Sequence, residues 1–194
     1  MKLTNRYGAP DSIVDAIRND PYTKDGADFS VTELIKPPQI RRLWHAHEDD
    51  ISVDIREEVW KLLGKGVHNV IELADSEGTK ERRFHAEHDG STISGAIDLM
   101  GDDGSLTDYK VTSTYSVQRG LKEDWEKQLN MYAWLIRQNG LTATKLNIVC
   151  ICRDWMRSKT GCLHSSEGKA TYSRADNPLY TRRALGSWRL SGKW

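Results

Sequence analysis

The chain is poor in cysteine, with only Cys150, Cys152 and Cys162 among its 194 residues. An odd number, two of them inside an apolar, strand-like run, argues against a disulfide framework. C-x-C plus one distant cysteine also falls short of the four thiolates that an iron–sulfur cluster or a structural zinc requires. No apolar run approaches the roughly twenty residues of a membrane helix, and the opening MKLTNRYGAPDS lacks the apolar stretch of a signal peptide. A cytoplasmic protein with no membrane partner is the expectation. Net charge is lacking too, since 28 basic residues balance 28 acidic ones. Taken alone, that balance counts against a nucleic-acid partner, because phosphate binding rests on Lys and Arg.

The charges that are present are unevenly placed. Residues 153–194 hold nine basic side chains against three acidic ones, a net of +6, and residues 1–152 hold 19 against 25, a net of −6. An acidic body fits a site that collects carboxylates for a divalent cation, and a basic tail could hold phosphates. A charge-segregated, solvated surface without a ligand would read the same way. Arg153, Arg157 and Lys159 at the start of the basic segment, with Arg41 and Arg42 of the entry segment, are the candidate phosphate contacts.

Hydrophobic period organises the rest. In SVTELIKPPQIRRLW, residues 30–44, Ser30 or Thr32 caps a short helix that begins with Glu33 and is interrupted by Pro37 and Pro38. From Ser52 to Asp75 the residues Val53, Val59, Trp60, Leu63, Val67, Val70, Ile71 and Leu73 recur at helical spacing, and Gly64 and Gly66 interrupt them. Two consecutive helices or one kinked helix are expected, carrying His68. Residues 92–100 alternate, with Ile93, Gly95, Ile97 and Leu99 against Thr92, Ser94, Ala96 and Asp98. Asp89-Gly90 before them and Gly101-Asp102-Asp103-Gly104 after them are turn signals, so residues 80–111 read as a three-stranded antiparallel meander. KEDWEKQLNMYAWLIRQN, residues 122–139, sets Trp125, Leu129, Tyr132, Ala133 and Ile136 on one helical face before Gly140. Residues 145–153 are a near-continuous apolar run suited to a strand buried on both faces. The expected class is α/β: a central mixed sheet, an antiparallel meander plus a parallel strand after a crossover helix, flanked by helices. Residues 1–162 read as one domain with its core at about 30–155, and 163–194 as a basic tail without periodicity.

Asp108-Tyr109-Lys110 lies on the last strand of the meander, where a period of two turns Asp108 and Lys110 to one side and Tyr109 to the core. A turn over Gly101–Ser105 sets Asp98 opposite Asp108. Two carboxylates and an ammonium then converge. Phosphodiester hydrolysis uses such a patch: Mg²⁺ or Mn²⁺ on carboxylate oxygens activates water, and a lysine stabilises hydroxide or the charge developing on phosphorus.

The series Gly95-Ala96-Ile97-Asp98, Asp108-Tyr109-Lys110 and Gln128-Leu129-Asn130-Met131-Tyr132 resembles the G-x-x-D, D-x-K and Q-x-x-x-Y motifs of RecB-type nucleases of the PD-(D/E)XK superfamily, in the same order and spacing. Gly64-Lys65-Gly66-Val67-His68 with Glu72 resembles the helix upstream of that core. The resemblance implies a restriction-endonuclease-like fold and a divalent-metal-dependent DNA exonuclease of recombination, repair or phage DNA metabolism. It implies Asp98, Asp108, His68 and the Tyr109 carbonyl as metal ligands, Lys110 as the catalytic lysine, and Gln128 and Tyr132 as residues that orient the lysine or the DNA. Glu72, one turn beyond His68, could hold a second cation. Linear DNA with ends is the implied substrate, and a recombination or single-strand-binding protein the implied partner. SVTELIKPP and Asp154-Trp155 resemble phage-encoded members, which would place the chain in a host cytoplasm. CRISPR-adaptation and AddB-type relatives clamp an iron–sulfur cluster with four cysteines, and this chain lacks them, so no cluster is expected. The rival reading is a nucleic-acid-binding module that keeps the fold without catalysis.

Overall fold

The computed structural model describes residues 1–155 except 22, 75–77 and 119, together with the backbone of residues 179–183. The elements in chain order are β1 (Lys2–Thr4), α1 (Asp11–Arg18), β2 (Phe29–Ser30), α2 (Val31–Leu34), α3 (Pro38–Ala46), β3 (Ser52–Asp54), α4 (Ile55–Leu73), β4 (Thr79–His88), β5 (Ser91–Met100), β6 (Ser105–Thr112), α5 (Thr114–Gln118), α6 (Glu123–Gln138), β7 (Lys145–Cys152) and β8 (Leu179–Arg183).

The meander forms because its turns dictate register. Asp89 and Gly90 both take positive φ, 47° and 74°, as a two-residue hairpin of the strand-matching hand requires, and the pairing runs from His88 with Ser91 to Thr79 with Met100. On its other edge β5 carries β2 in parallel at Ile93 and Ser94, and β6 antiparallel at Leu99 and Met100. Strand β7 pairs in parallel along all of β6 after the α6 crossover, and β8 closes that side antiparallel to β7. The result is a six-stranded mixed sheet flanked by helices, as in restriction endonucleases.

Helix α6 closes the core. Acidic Glu123, Asp124 and Glu126 suit the positive end of its dipole, and Gly140 takes the left-handed turn that ends it, at φ 77°. Its buried Leu129, Tyr132, Leu135 and Ile136 meet Ile93 and Ile97 of β5, Leu106 of β6 and Ile148 of β7. At Gly95 the sheet leaves no room for a side chain: a Cβ there would stand 2.8 Å from Tyr132 and 2.9 Å from both Leu135 of α6 and Val31 of α2. Ser30 caps α2 with a full capping box to Glu33, and a separate helix starts at Pro38.

Three expectations change. The stretch around Gly64 and Gly66 is one helix of 19 residues, with open space around both glycines. Its apolar stripe is largely not core either, since Trp60, Leu63, Val70 and Leu73 are exposed. Only Ile148 and Cys150 of β7 are fully buried, and Val149 and Ile151 are half-covered, so the strand is buried on one face. The region expected to be a tail without periodicity contributes β8 to the central sheet. Among the described residues, no helix is long and apolar enough to cross a membrane. Cys150 and Cys152 are free thiols, and burial pushes that of Cys150 up to about 12.

Candidate functional site

Strands β5 and β6 stop pairing beyond Leu99 and Thr107, and the next pair in that register is Asp98 with Asp108. The parting is stabilised by a side chain, because the Tyr109 N–H donates to Asp98 Oδ2 at 2.7 Å. Both carboxylates therefore lie between two diverging strands, with Asp108 buried and Asp98 nearly so. Lys110, two residues on, turns to the same side and donates to Asp108 Oδ1 at 2.9 Å, with Oδ2 at 2.8 Å.

Helix α6 supplies the next link. Gln128 Oε1 accepts from Lys110 Nζ at 2.9 Å, and its Nε2 donates to the Tyr132 hydroxyl at 2.8 Å. An ammonium can only donate, which fixes the amide orientation and leaves its NH₂ for Tyr132. Gln128 and Tyr132 stand one helical turn apart, and the absent Cβ of Gly95 lets Tyr132 pack that close to β5. A run of four side chains thus holds the lysine ammonium against Asp108.

From the other side α4 brings His68, whose Nε2 lies 3.0 Å from the Tyr109 carbonyl oxygen. A carbonyl only accepts, so Nε2 carries the proton in that contact. Nδ1 faces Asp98 Oδ1 at 3.6 Å and Glu81 at 3.5 Å. The side chain of Tyr109 is half-buried rather than in the core, as the alternation had suggested. Its burial raises the phenol's pKa.

The electrostatics are those of crowded acids. Burial first, then the Asp108 charge, push Asp98 up to about 7, against the opposing pull of His68 and Lys110. Burial raises Asp108 too, despite the ion pair with Lys110. The hydrogen bond to Glu81, with the charge of Asp98, raises His68 against its own desolvation. Asp108 Oδ2 receives no hydrogen bond of good geometry although it is buried. One ligand atom each from His68, Glu81 and Asp98 falls within 4.8 Å of the others. Carboxylate oxygens gathered beside an imidazole are the donor chemistry that suits Mg²⁺ or Mn²⁺.

The candidates drawn from the sequence separate into two groups. Asp98, Asp108, Tyr109, Lys110, Gln128, Tyr132 and His68 are brought together. Glu72 is exposed on α4 and outside the cluster, and its backbone carbonyl accepts from Lys80. Arg41 stacks on Phe29 at 5.4 Å and Arg42 is exposed, both on α3. Arg153 is exposed just after β7, with its guanidinium 4.3 Å from the Trp60 ring. Arg157 and Lys159 lie outside the described residues. Sequence reasoning missed Glu81. Its signal was the Asp89-Gly90 turn, which sets the register that puts Glu81 opposite Asp98.

No curated protein matches the chain at a significant level. The crystal structure of SSO0001 is similar in fold, with a TM-score of 0.54 at 19% identity over 74% of this chain and 71% of that one. The family model of the PD-(D/E)XK nuclease superfamily matches residues 31–183, from the start of α2 to the end of β8. The chain belongs to the PD-(D/E)XK nuclease superfamily.

Proposed function

We propose that the chain is a divalent-metal-dependent deoxyribonuclease that hydrolyses phosphodiester bonds of linear DNA from its ends. The observation that carries this reading is the convergence of Asp98 and Asp108 with Lys110, whose ammonium is held by both Asp108 and Gln128. Asp98, Asp108, His68 and the Tyr109 carbonyl would hold Mg²⁺ or Mn²⁺, without an iron–sulfur cluster. The cation, when bound, polarises the phosphate and acidifies a water molecule.

The remaining work falls to the chain. Lys110 presents a fixed positive charge where hydroxide and phosphorane charge develop, and an ammonium already oriented costs little to reorganise. Gln128 and Tyr132 keep it from collapsing wholly onto Asp108. Arg153, Arg157 and Lys159, with Arg41 and Arg42, are the proposed phosphate contacts, and the net +6 of residues 153–194 supports them. Residues 1–162 would form the nuclease domain, completed by β8 from the basic segment that follows. The RecB-type motif series supports end-dependent digestion in recombination, repair or phage DNA metabolism. A recombination or single-strand-binding protein as partner, and the host cytoplasm as location, follow from the same series. The rival, an inactive nucleic-acid-binding module, would have no use for intact Asp98, Asp108 and Lys110.

End-labelled linear and closed circular DNA, incubated with Mg²⁺ or Mn²⁺, test the reading. Digestion of the linear form alone is expected. Cleavage of the closed circle makes the protein an endonuclease, and cleavage of neither favours the binding module.

A further inference from the structure

The functional reading above leaves Glu81 without a role. Three neighbouring strands set Glu81, Asp98 and Asp108 side by side on one face. The pairs Lys80 with Leu99 and Arg82 with Ile97 bracket Glu81 opposite Asp98, and Leu99 with Thr107 continues to Asp98 opposite Asp108. Like charges directly opposite on adjacent strands destabilise a sheet. Glu81 also leaves the ladder, with φ 44° in the middle of an otherwise extended strand. A non-glycine residue held there is strained.

What this kink delivers is a carboxylate at His68. Glu81 Oε1 and Asp98 Oδ1 stand 3.5 and 3.6 Å from His68 Nδ1. With Nε2–H donating to the Tyr109 carbonyl, it is Nδ1 that faces both carboxylates, and loss of its proton would turn a lone pair toward them. Three ligand atoms then face one space, where a cation can take the place of the protons they share. Asp108, with its side chain 3% exposed and paired with the Lys110 ammonium, stands across from Asp98 in the same row.

We infer that Glu81 is a direct ligand of a divalent cation, held together with His68 Nδ1 and Asp98, while Asp98 is shared with the Asp108 side of the site. The inference rests on the nuclease reading and adds Glu81 to the ligands which that reading gives the cation. A nitrogen among the donors suits Mn²⁺ better than Ca²⁺.

Mn²⁺ binding to the full chain, followed by the electron paramagnetic resonance of free Mn²⁺, tests it without reference to activity. Glu81→Gln is expected to weaken binding at least tenfold, and to do so again in a His68→Ala background. Its metal-free melting temperature is expected not to fall, since one of three adjoining carboxylates is gone. Wild-type affinity in Glu81→Gln overturns the inference. So does loss of the effect in the His68→Ala background, which would make Glu81 a positioning residue for the imidazole. If Glu81→Gln fails to fold, Glu81→Asp keeps the charge but withdraws the oxygens by one methylene, and unchanged affinity there overturns the inference equally. Weakened binding in Asp108→Asn alone leaves the nuclease site standing and removes only Glu81. Absence of Mn²⁺ binding by the wild type removes both.

Discussion

At the scale of single residues, Asp98 is held in a position that favours its neutral form unless a cation is present. Its carboxyl sits at about 7 when folded against an ordinary value of 3.8, and His68 is likewise raised above 6.5. Both groups bind protons more tightly in the folded chain. The stability they contribute is complete below the unfolded values and is lost as pH climbs through the folded ones. The melting temperature of the metal-free protein is therefore expected to fall between about pH 4 and pH 7 as Asp98 ionises. The His68 contribution extends the fall above 6.5. Asp98→Asn should flatten the acidic part of that curve, and a scan of melting temperature against pH for the two proteins checks it. Divalent metal competes with those protons, so the stabilisation it gives should grow as pH rises over the same range. Lys110→Ala is expected to lower turnover by roughly 10²–10³-fold with DNA affinity nearly unchanged, because its charge acts where transition-state charge develops. Single-turnover rates and a binding isotherm separate the two, and a joint fall of both would make Lys110 a phosphate clamp.

At the scale of elements, the motif glycine and the motif tyrosine are one packing event. Gly95→Ala places a methyl within 3.0 Å of Tyr132, Leu135 and Val31, so α6 must shift. A loss of about 1–3 kcal/mol is expected from overpacking, with activity reduced at temperatures where the variant is still folded, since Tyr132 anchors Gln128 and Gln128 holds Lys110. Gly64→Ala should do the opposite. That glycine is helical with nothing within 4 Å of its Cβ position, so alanine is expected to stabilise by about 0.5–1 kcal/mol, read from urea unfolding. These elements also show what the sequence could and could not disclose. Asp98, Asp108 and Lys110 were legible because strand alternation and short turns fix facing side chains locally, and Gln128 with Tyr132 because four residues make one helical turn. Of two consecutive helices or one kinked helix, α4 forms a single helix, because tertiary packing against β6 and α1 overrides the local cost of two glycines. Glu81 escaped because its place depends on a hairpin register and on a positive φ that glutamate rarely adopts. The strand Leu179–Arg183 carries no alternation, so only its pairing with β7 defines it.

At the scale of the whole molecule, an acidic body with the proposed catalytic cluster is joined to a segment of net +6 that also contributes a strand to the sheet. Truncation after Arg157 would remove that strand together with the charge, so charge is better tested by substitution outside it. Replacing Lys169, Arg174, Arg189 and Lys193 by glutamine is expected to weaken DNA binding and flatten its dependence on log[salt], by up to about 0.9 per lost phosphate contact on duplex DNA. An unchanged slope would confine the phosphate contacts to Arg153, Arg157, Lys159, Arg41 and Arg42. The central claim is narrower than any of these, because it places metal-dependent hydrolysis at the Asp98–Asp108–Lys110 cluster. The direct measurement is Mn²⁺-dependent cleavage of end-labelled linear DNA by the wild type and by Asp108→Asn, each shown to be folded by circular dichroism. The account predicts cleavage by the wild type and none by Asp108→Asn, and substantial metal-dependent cleavage by the folded variant would contradict it.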